Sequence, residues 1–263
     1  QSGYRVYLVD PWNTAEASDD GFDGVVADVW PAIIEQVKQV AGGAPVTFLG
    51  HGLCGLLPAA AAAAPRGTAI PLRWIAMGTR FDWRVASPAW MDWLQAWERE
   101  ERPLPKLTKR TLFTGLRPAL GGRASSVPPT LSQEGDIVET MFQFYDKSVS
   151  REPPRAVIDD VLRWFAAGAM TSRQGWVDYA VGLQQVQGPA LVMAGMADPV
   201  APPEDVLYAL DTLTNAEVRY RLLSRASGHN EEYGHLGMLL SRHAGWDVDR
   251  VVIAWLRGWK RLP

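Results

Sequence analysis

A single cysteine, Cys54, stands in 263 residues, so no intrachain disulfide framework holds the fold. Histidine is scarce too: His51, His229, His235 and His243 are spread without the spacing of a Cys/His zinc site, and no metal is expected. Charge of one sign is also lacking, since 26 Lys and Arg against 29 Asp and Glu leave a formal net charge of -3, with the basic residues scattered. Without a basic stripe there is no field for a phosphate backbone, which argues against nucleic acid as a partner. No apolar run approaches the roughly 18 residues of a membrane helix. No signal-peptide pattern starts at Gln1, so a cytoplasmic location is the expectation. The chain begins without Met and almost directly in a candidate strand, as a trimmed start would. No Gly-rich loop of the dinucleotide-binding kind follows that strand, and no cofactor is expected.

What the chain has is apolar bulk. At 47% hydrophobic and 21% charged it can bury one large core, or a core plus a lid. The stretch Pro45 to Ala64 organises the rest. Val46 to Leu49 is a short apolar run, Gly50-His51-Gly52-Leu53-Cys54-Gly55 is a glycine-rich turn, and the Ala-rich run after it suits a helix closed by Pro65. Strand, sharp turn and helix is the layout of G-x-S-x-G, the elbow that lifts a nucleophilic Ser above a sheet edge. Here the Ser position is Gly52, which tolerates the strained backbone but has no atom able to attack a carbonyl.

In chain order, Tyr4 to Val9 reads as a buried strand ending at Asp10-Pro11. Asp28 to Val40 reads as a helix with Val29, Ile33, Val37 and Val40 on one face, stopped by Gly42-Gly43. Arg73 to Met77 makes a third strand. This β-α-β-α-β order predicts a parallel sheet with helices on both faces and right-handed connections. The alternation then breaks: Trp90, Trp93, Leu94 and Trp97 recur at helical spacing, Arg117 to Pro129 reads as loop, and Val157, Val161, Leu162 and Phe165 form another helical stripe after Pro153-Pro154. The expected division is a core of 1–81 and 189–263 with a helical cap inserted at 82–188. The cap tryptophans either line a pocket for an apolar substrate or pack the cap on the sheet. Alternation resumes with a strand over Pro189 to Ala194, a helix over Glu204 to Leu213, a last strand over Val218 to Leu223, a loop over Ser227 to Leu236 and a closing helix over Asp249 to Trp259.

Hydrolase triads on such a sheet run nucleophile, acid, His along the chain, each from a loop at a strand's carboxyl end. Asp198, in Gly195-Met196-Ala197-Asp198-Pro199, stands where the acid belongs, although a turn aspartate would look the same. Two histidines compete for the base: His229 in Ala226-Ser227-Gly228-His229, and His235 in Tyr233-Gly234-His235-Leu236. His51 and His243 read as structural.

From the strand at Tyr4 to the final helix, these motifs resemble the bacterial lipase/esterase-like and polyhydroxyalkanoate-synthase-like branch of the α/β-hydrolase superfamily. In that branch a Tyr-Gly-His-x-Asp-Leu-Leu run precedes the terminal helix, so the resemblance implies His235 rather than His229 as the base, with Gly237 where the pattern carries Asp. His51 fills the usual place of His in the family's Gly-His-Ser elbow. Relatives carry several strands and a His-Gly oxyanion loop upstream of the position matching Tyr4, so either the chain is a fragment, another segment supplies them, or the oxyanion hole is incomplete. Within the sequence, the N–H of Leu53 is the donor that can be nominated. Polyhydroxyalkanoate synthases place a nucleophilic Cys in G-x-C-x-G, which Gly52-Leu53-Cys54-Gly55-Leu56 nearly spells. Counted from the strand end, however, Cys54 falls two residues past the elbow, at the place of the motif's second glycine, where close packing wants a small residue.

Three readings follow. The chain is an ester-hydrolase or acyl-transfer scaffold, with an apolar acyl compound as its small-molecule partner, that has lost its Ser but kept Asp198 and His235. Or it is an active enzyme, using Cys54 as nucleophile or the His235/Asp198 pair as a general base. Or it is a non-catalytic binding or assembly subunit, whose protein partner or missing N-terminal segment covers the open sheet edge.

Overall fold

The computed structural model describes residues 3–64, 73–85 and 154–259. Four parallel strands form the sheet in sequence order: β1 (Thr47–His51), β2 (Arg73–Met77), β3 (Gly188–Gly195) and β4 (Ala216–Leu223). His51 lies beside Met77, Met77 beside Met193, and Gly195 beside Leu223, so the carboxyl ends of all four strands meet at one edge of the sheet. The two central strands are continuous apolar runs, as burial on both faces requires. At the far edge, β4 alternates: Val218, Tyr220 and Leu222 face the core while Glu217, Arg219 and Arg221 face water, charges that discourage edge-to-edge pairing.

Because side chains alternate along a strand, the sheet feeds two separate cores. Trp74, Ala76, Ala190, Val192 and Ala194 pack into a large cluster with Phe22, Val25, Val26, Leu56, Leu57, Leu162 and Trp164. Ile75, Met77, Leu191 and Met193 pack on the other face with Tyr233, Met238, Val248 and Trp255. Helices thus cover both faces, as the alternation of elements predicts.

The helices depart from expectation mainly at their ends. Helix α1 (Ala15–Asp19) is capped by Thr14, whose Oγ1 accepts from the Ala17 N–H at 3.1 Å. The helix expected from Asp28 starts earlier: α2 (Gly21–Gly24) runs through a π-helical turn, Val25–Val29, into α3 (Trp30–Ala41). Phe22, Val25 and Val26 extend the apolar stripe upstream, while Val40 is 53% exposed. Gly42, with φ 59°, ends α3 as read from the sequence. After β1 the chain makes a 3-10 turn, Gly52–Leu56, before α4 (Leu57–Ala63). The single helix expected over Glu204 to Leu213 is two short ones, α7 (Pro203–Leu207) and α8 (Ala209–Thr212), and the closing helix, α10 (Ala244–Trp259), starts five residues before Asp249.

The largest departure is Tyr4 to Val9, which is irregular and exposed rather than a buried strand, with Val6 at 83% and Leu8 at 77% exposure. β-branched and aromatic residues favour a strand only where a neighbouring ladder accepts their N–H and C=O groups, and among the described residues this segment pairs with none. Among the described residues β1 is therefore an edge strand, with Leu49 44% exposed.

Trp90, Trp93, Leu94, Trp97 and the 117–129 loop lie outside the described residues. Of the expected cap, α5 (Arg155–Ala167) buries Val157, Val161, Leu162 and Phe165 as the stripe predicts, and Trp164 meets Phe22 edge-to-face at 4.9 Å. Asp160, buried on α5, accepts from the Phe22 N–H at 2.8 Å and from Arg173 Nε at 2.9 Å, and pairs with Arg163 at 3.3 Å. Helix α6 (Val181–Gln185) lies against α4, and α9 (Gly237–Leu240) precedes α10.

Candidate active site

β1 delivers the chain to Gly52 with φ 57°, in the left-handed region that no described non-glycine residue occupies. An elbow of this kind turns the backbone sharply enough to present its tip over the sheet edge. A Cβ placed on Gly52 would lie 3.2 Å from Nε2 of His235. The carbonyl oxygen of Gly52 accepts a hydrogen bond from Oγ1 of Thr79 at 3.0 Å, so the first polar residue after β2 steadies the elbow. Thr79 is fully buried.

Asp198 sits on the turn after β3, its N–H donating to the Gly195 carbonyl at 3.2 Å. Oδ1 of Asp198 accepts from the N–H groups of Val200 at 2.8 Å and Ala201 at 2.9 Å, leaving Oδ2 to accept from Nδ1 of His235 at 2.8 Å. The Asp198 side chain is 0% exposed and that of His235 13%. A carboxylate on Nδ1 fixes the tautomer and puts the basic lone pair on Nε2, the nitrogen that faces Gly52. Gly78 makes room behind the pair: a Cβ there would come within 3.1 Å of Asp198 Oδ2 and 3.2 Å of His235 Nδ1.

The two loops carrying the pair are stitched together. The Ala197 N–H donates to the Tyr233 carbonyl at 2.9 Å, and the Tyr233 hydroxyl donates to Asp247 Oδ2 at 2.8 Å, tying the His235 loop to α10. Asn230 adds its N–H to Asp247 Oδ2 at 2.7 Å and its side-chain amide to Oδ1 at 2.9 Å, and Ser241 Oγ donates to Glu231. Burial pushes Asp247 upward, but the Asn230 and Tyr233 donors outweigh it and hold the carboxyl below the usual carboxylate range.

His51, last residue of β1, donates through Nε2–H to the His235 carbonyl oxygen at 2.9 Å, and the two imidazoles stand 4.3 Å apart, centre to centre. Burial first, and then the neighbouring His235, push the pKa of His51 down to about 3, so it is neutral.

The structure therefore brings Gly52, Asp198 and His235 together, with Leu53 next to the elbow and with His229 and Cys54 facing other partners. His229 stays within its own loop, its Nδ1 3.2 Å from the Ser224 carbonyl oxygen, its ring edge-on to Tyr233 at 6.4 Å. Cys54 is half-buried against the main core, its thiol pushed up to about 12 by burial, with Trp12 and Asp10 as the side chains it senses. The close-packing position is Gly55 rather than Cys54, since a Cβ on Gly55 would collide with Thr79 Oγ1 at 1.9 Å. Leu53 follows Gly52 in the 3-10 turn, where backbone N–H groups have no partner within the helix, as an oxyanion donor requires. His243 caps the start of α10, its carbonyl accepting from the Trp246 and Asp247 N–H groups at 2.9 Å.

Sequence reasoning missed Thr79 and Gly78. Their one visible signal is position, directly after a strand at the sheet's carboxyl edge. It also missed Arg80, which is 5% exposed, pairs with Asp205 at 2.8 Å and lies 4.8 Å from the Phe165 ring. Burial raises Asp205 to about 6 against the pull of Arg80. The guanidinium also donates to the carbonyls of Asp82 and Val85, ordering the 80–85 loop that follows Thr79.

No protein-family model matches the sequence, and no curated protein matches it as a relative. Solved structures do resemble it. A bromoperoxidase from Bacillus anthracis superposes with a TM-score of 0.53 at 15% identity over 90% of this chain and 74% of that one. A highly thermostable carboxyl esterase from Bacillus coagulans gives 0.53 at 14% identity, over 91% and 73% of the two chains. A serine hydrolase from the polyaromatic-hydrocarbon-degrading bacterium Cycloclasticus zankles gives 0.50 at 13% identity, over 90% and 72%. Identities this low speak of architecture alone. With four parallel strands between two helical layers, a tight left-handed turn after β1, and an acid and a histidine on the loops after β3 and β4, this chain has the α/β-hydrolase fold.

Proposed function

We propose that this protein is an ester-hydrolase or acyl-transfer scaffold of the lipase/esterase type, taking apolar acyl compounds, whose covalent chemistry is silent because the nucleophile position is Gly52. The observation that carries the reading is the 3.2 Å between a Cβ at position 52 and Nε2 of His235, with Nδ1 of the same ring 2.8 Å from Asp198. A serine hydroxyl on that Cβ would stand within hydrogen-bond reach of Nε2. His235 would take its proton as it attacks an acyl carbonyl and return it to the leaving alcohol, with Asp198 holding the tautomer and the Leu53 N–H stabilising the oxyanion. In the chain as it stands, Gly52 forms no acyl-enzyme. General-base action by the His235/Asp198 pair alone is worth about 100-fold to 10,000-fold, so residual turnover without a covalent intermediate is slow.

Cys54 is a poor substitute, because a thiol with a pKa of about 12 supplies little thiolate at neutral pH and its neighbours are Trp12 and Asp10. The test is turnover of a short-chain and a medium-chain nitrophenyl ester by the chain itself, Gly52→Ser, Cys54→Ala and His235→Ala. The reading expects Gly52→Ser to hydrolyse with a burst of nitrophenol and to lose that activity when His235→Ala is added. Turnover by the unmodified chain that Cys54→Ala abolishes overturns it in favour of a thiol enzyme. Silence from Gly52→Ser, in folded protein, overturns it in favour of a binding or assembly role.

A further inference from the structure

The elbow and the dyad belong to segments far apart in sequence, and each is gripped at a backbone carbonyl by a side-chain donor. Thr79 Oγ1 holds the Gly52 carbonyl at 3.0 Å, and His51 Nε2–H holds the His235 carbonyl at 2.9 Å. The second contact crosses from the end of β1 to the loop after β4, over the top of the two strands between them. We propose that His51 is a positioning residue for the dyad: by holding the His235 carbonyl oxygen beside the elbow, its Nε2–H sets where the His235 imidazole stands relative to position 52.

Three observations favour this over simple space-filling. The hydrogen bond is directional, and it ends on the backbone of the very residue whose ring must be placed. His51 is the immediate neighbour of Gly52, so its side chain refers the position of His235 directly to the elbow. The two rings are 4.3 Å apart, which would penalise a charged His51 whenever His235 takes up a proton, and burial keeps His51 neutral down to a pKa of about 3. Asp198 fixes the tautomer and rotation of the His235 ring through Nδ1, while His51 fixes where its backbone sits.

The inference rests on reading Asp198 and His235 as a working pair, and its test separates the two. His51→Phe keeps a flat ring but removes the donor, whereas His51→Gln keeps an N–H donor of similar reach. In the otherwise unmodified chain, the low-field Nδ1–H resonance of His235, seen by NMR, should exchange with solvent about tenfold faster in His51→Phe than in the parent, and return to the parent rate in His51→Gln. In the Gly52→Ser background, His51→Phe should lower kcat by about 10-fold to 100-fold with KM little changed, and His51→Gln should recover most of it. If His51→Phe does not fold, His51→Asn, polar but too short to reach the carbonyl, takes its place with the same expectations. Unchanged exchange in the donor-free variant overturns the proposal whatever the kinetics show. Accelerated exchange together with an inactive Gly52→Ser would leave His51 as the positioning residue and remove the esterase reading.

Discussion

The neutrality of His51 has a cost that shows as acid sensitivity. Unfolded, its imidazole titrates near the ordinary 6.5; folded, it does so at about 3. Between those values the unfolded chain binds a proton that the native state refuses, so this residue's contribution is fully present above 6.5 and is lost as pH falls toward 3. The slope approaches about 1.4 kcal/mol per pH unit once pH is below 6.5, or roughly 2–3 kcal/mol by pH 4.5, before the carboxylates titrate in bulk. Because many groups titrate, the decisive quantity is a difference. Urea unfolding at pH 7.0, 6.0, 5.0 and 4.5 should show the parent losing stability faster than His51→Gln, the gap between them narrowing or reversing by about 2–3 kcal/mol toward pH 4.5. A constant offset between the two proteins, at whatever size, would refute the claim that His51 is buried neutral.

Other perturbations probe the rest of the site and its frame. Asp160→Ala strips a buried carboxylate from Arg163, Arg173 and the Phe22 N–H, and should cost about 3–5 kcal/mol of unfolding free energy in chemical denaturation. Thr79→Val keeps the shape but leaves the Gly52 carbonyl without its donor. It should cost about 1–3 kcal/mol and, in the Gly52→Ser background, lower kcat more than it raises KM. Cys54, half-buried with its pKa near 12, should react with a disulfide reagent at pH 8 far more slowly than in urea-unfolded protein, and a rate equal to that of the unfolded chain would contradict the placement of its thiol.

The parts legible in the sequence were those fixed by local pattern. Arg73 to Met77 is a strand whose ends the apolar run predicts to the residue, and Gly42 stops α3 because only a glycine sits easily at its left-handed angle. Asp198, and a histidine on the loop after the last strand, were readable from chain order, since the parallel sheet puts every strand's following loop at one edge; that the histidine is His235 came from the family resemblance. What stayed hidden depends on partners. Tyr4 to Val9 has the composition of a strand but finds no ladder among the described residues, and composition carries no information about a neighbour. Choosing between His229 and His235 from residues alone was not possible, because both follow β4, and only the folded loop shows His235 meeting Asp198 while His229 turns to the Ser224 carbonyl. Thr79 and His51 act on carbonyls 27 and 184 residues away along the chain, contacts that no periodicity encodes. The early start of α2 was masked by Gly21 and Gly24, which weaken helix propensity while the apolar stripe carries on through them.

Strand order also dictates when the site can exist during folding. β1 and β2 are joined by a short connection, and so are β3 and β4, but pairing β2 with β3 closes a loop of about a hundred residues, the slowest and entropically most costly ladder in the sheet. Gly52 belongs to the first half of the sheet and both members of the dyad to the second. A folding intermediate holding either half alone would carry an elbow without a base or a base without an elbow. Recovery of the His51–His235 contact after dilution from denaturant therefore reports the joining of the halves, and should lag behind the helical signal of the segments that form locally.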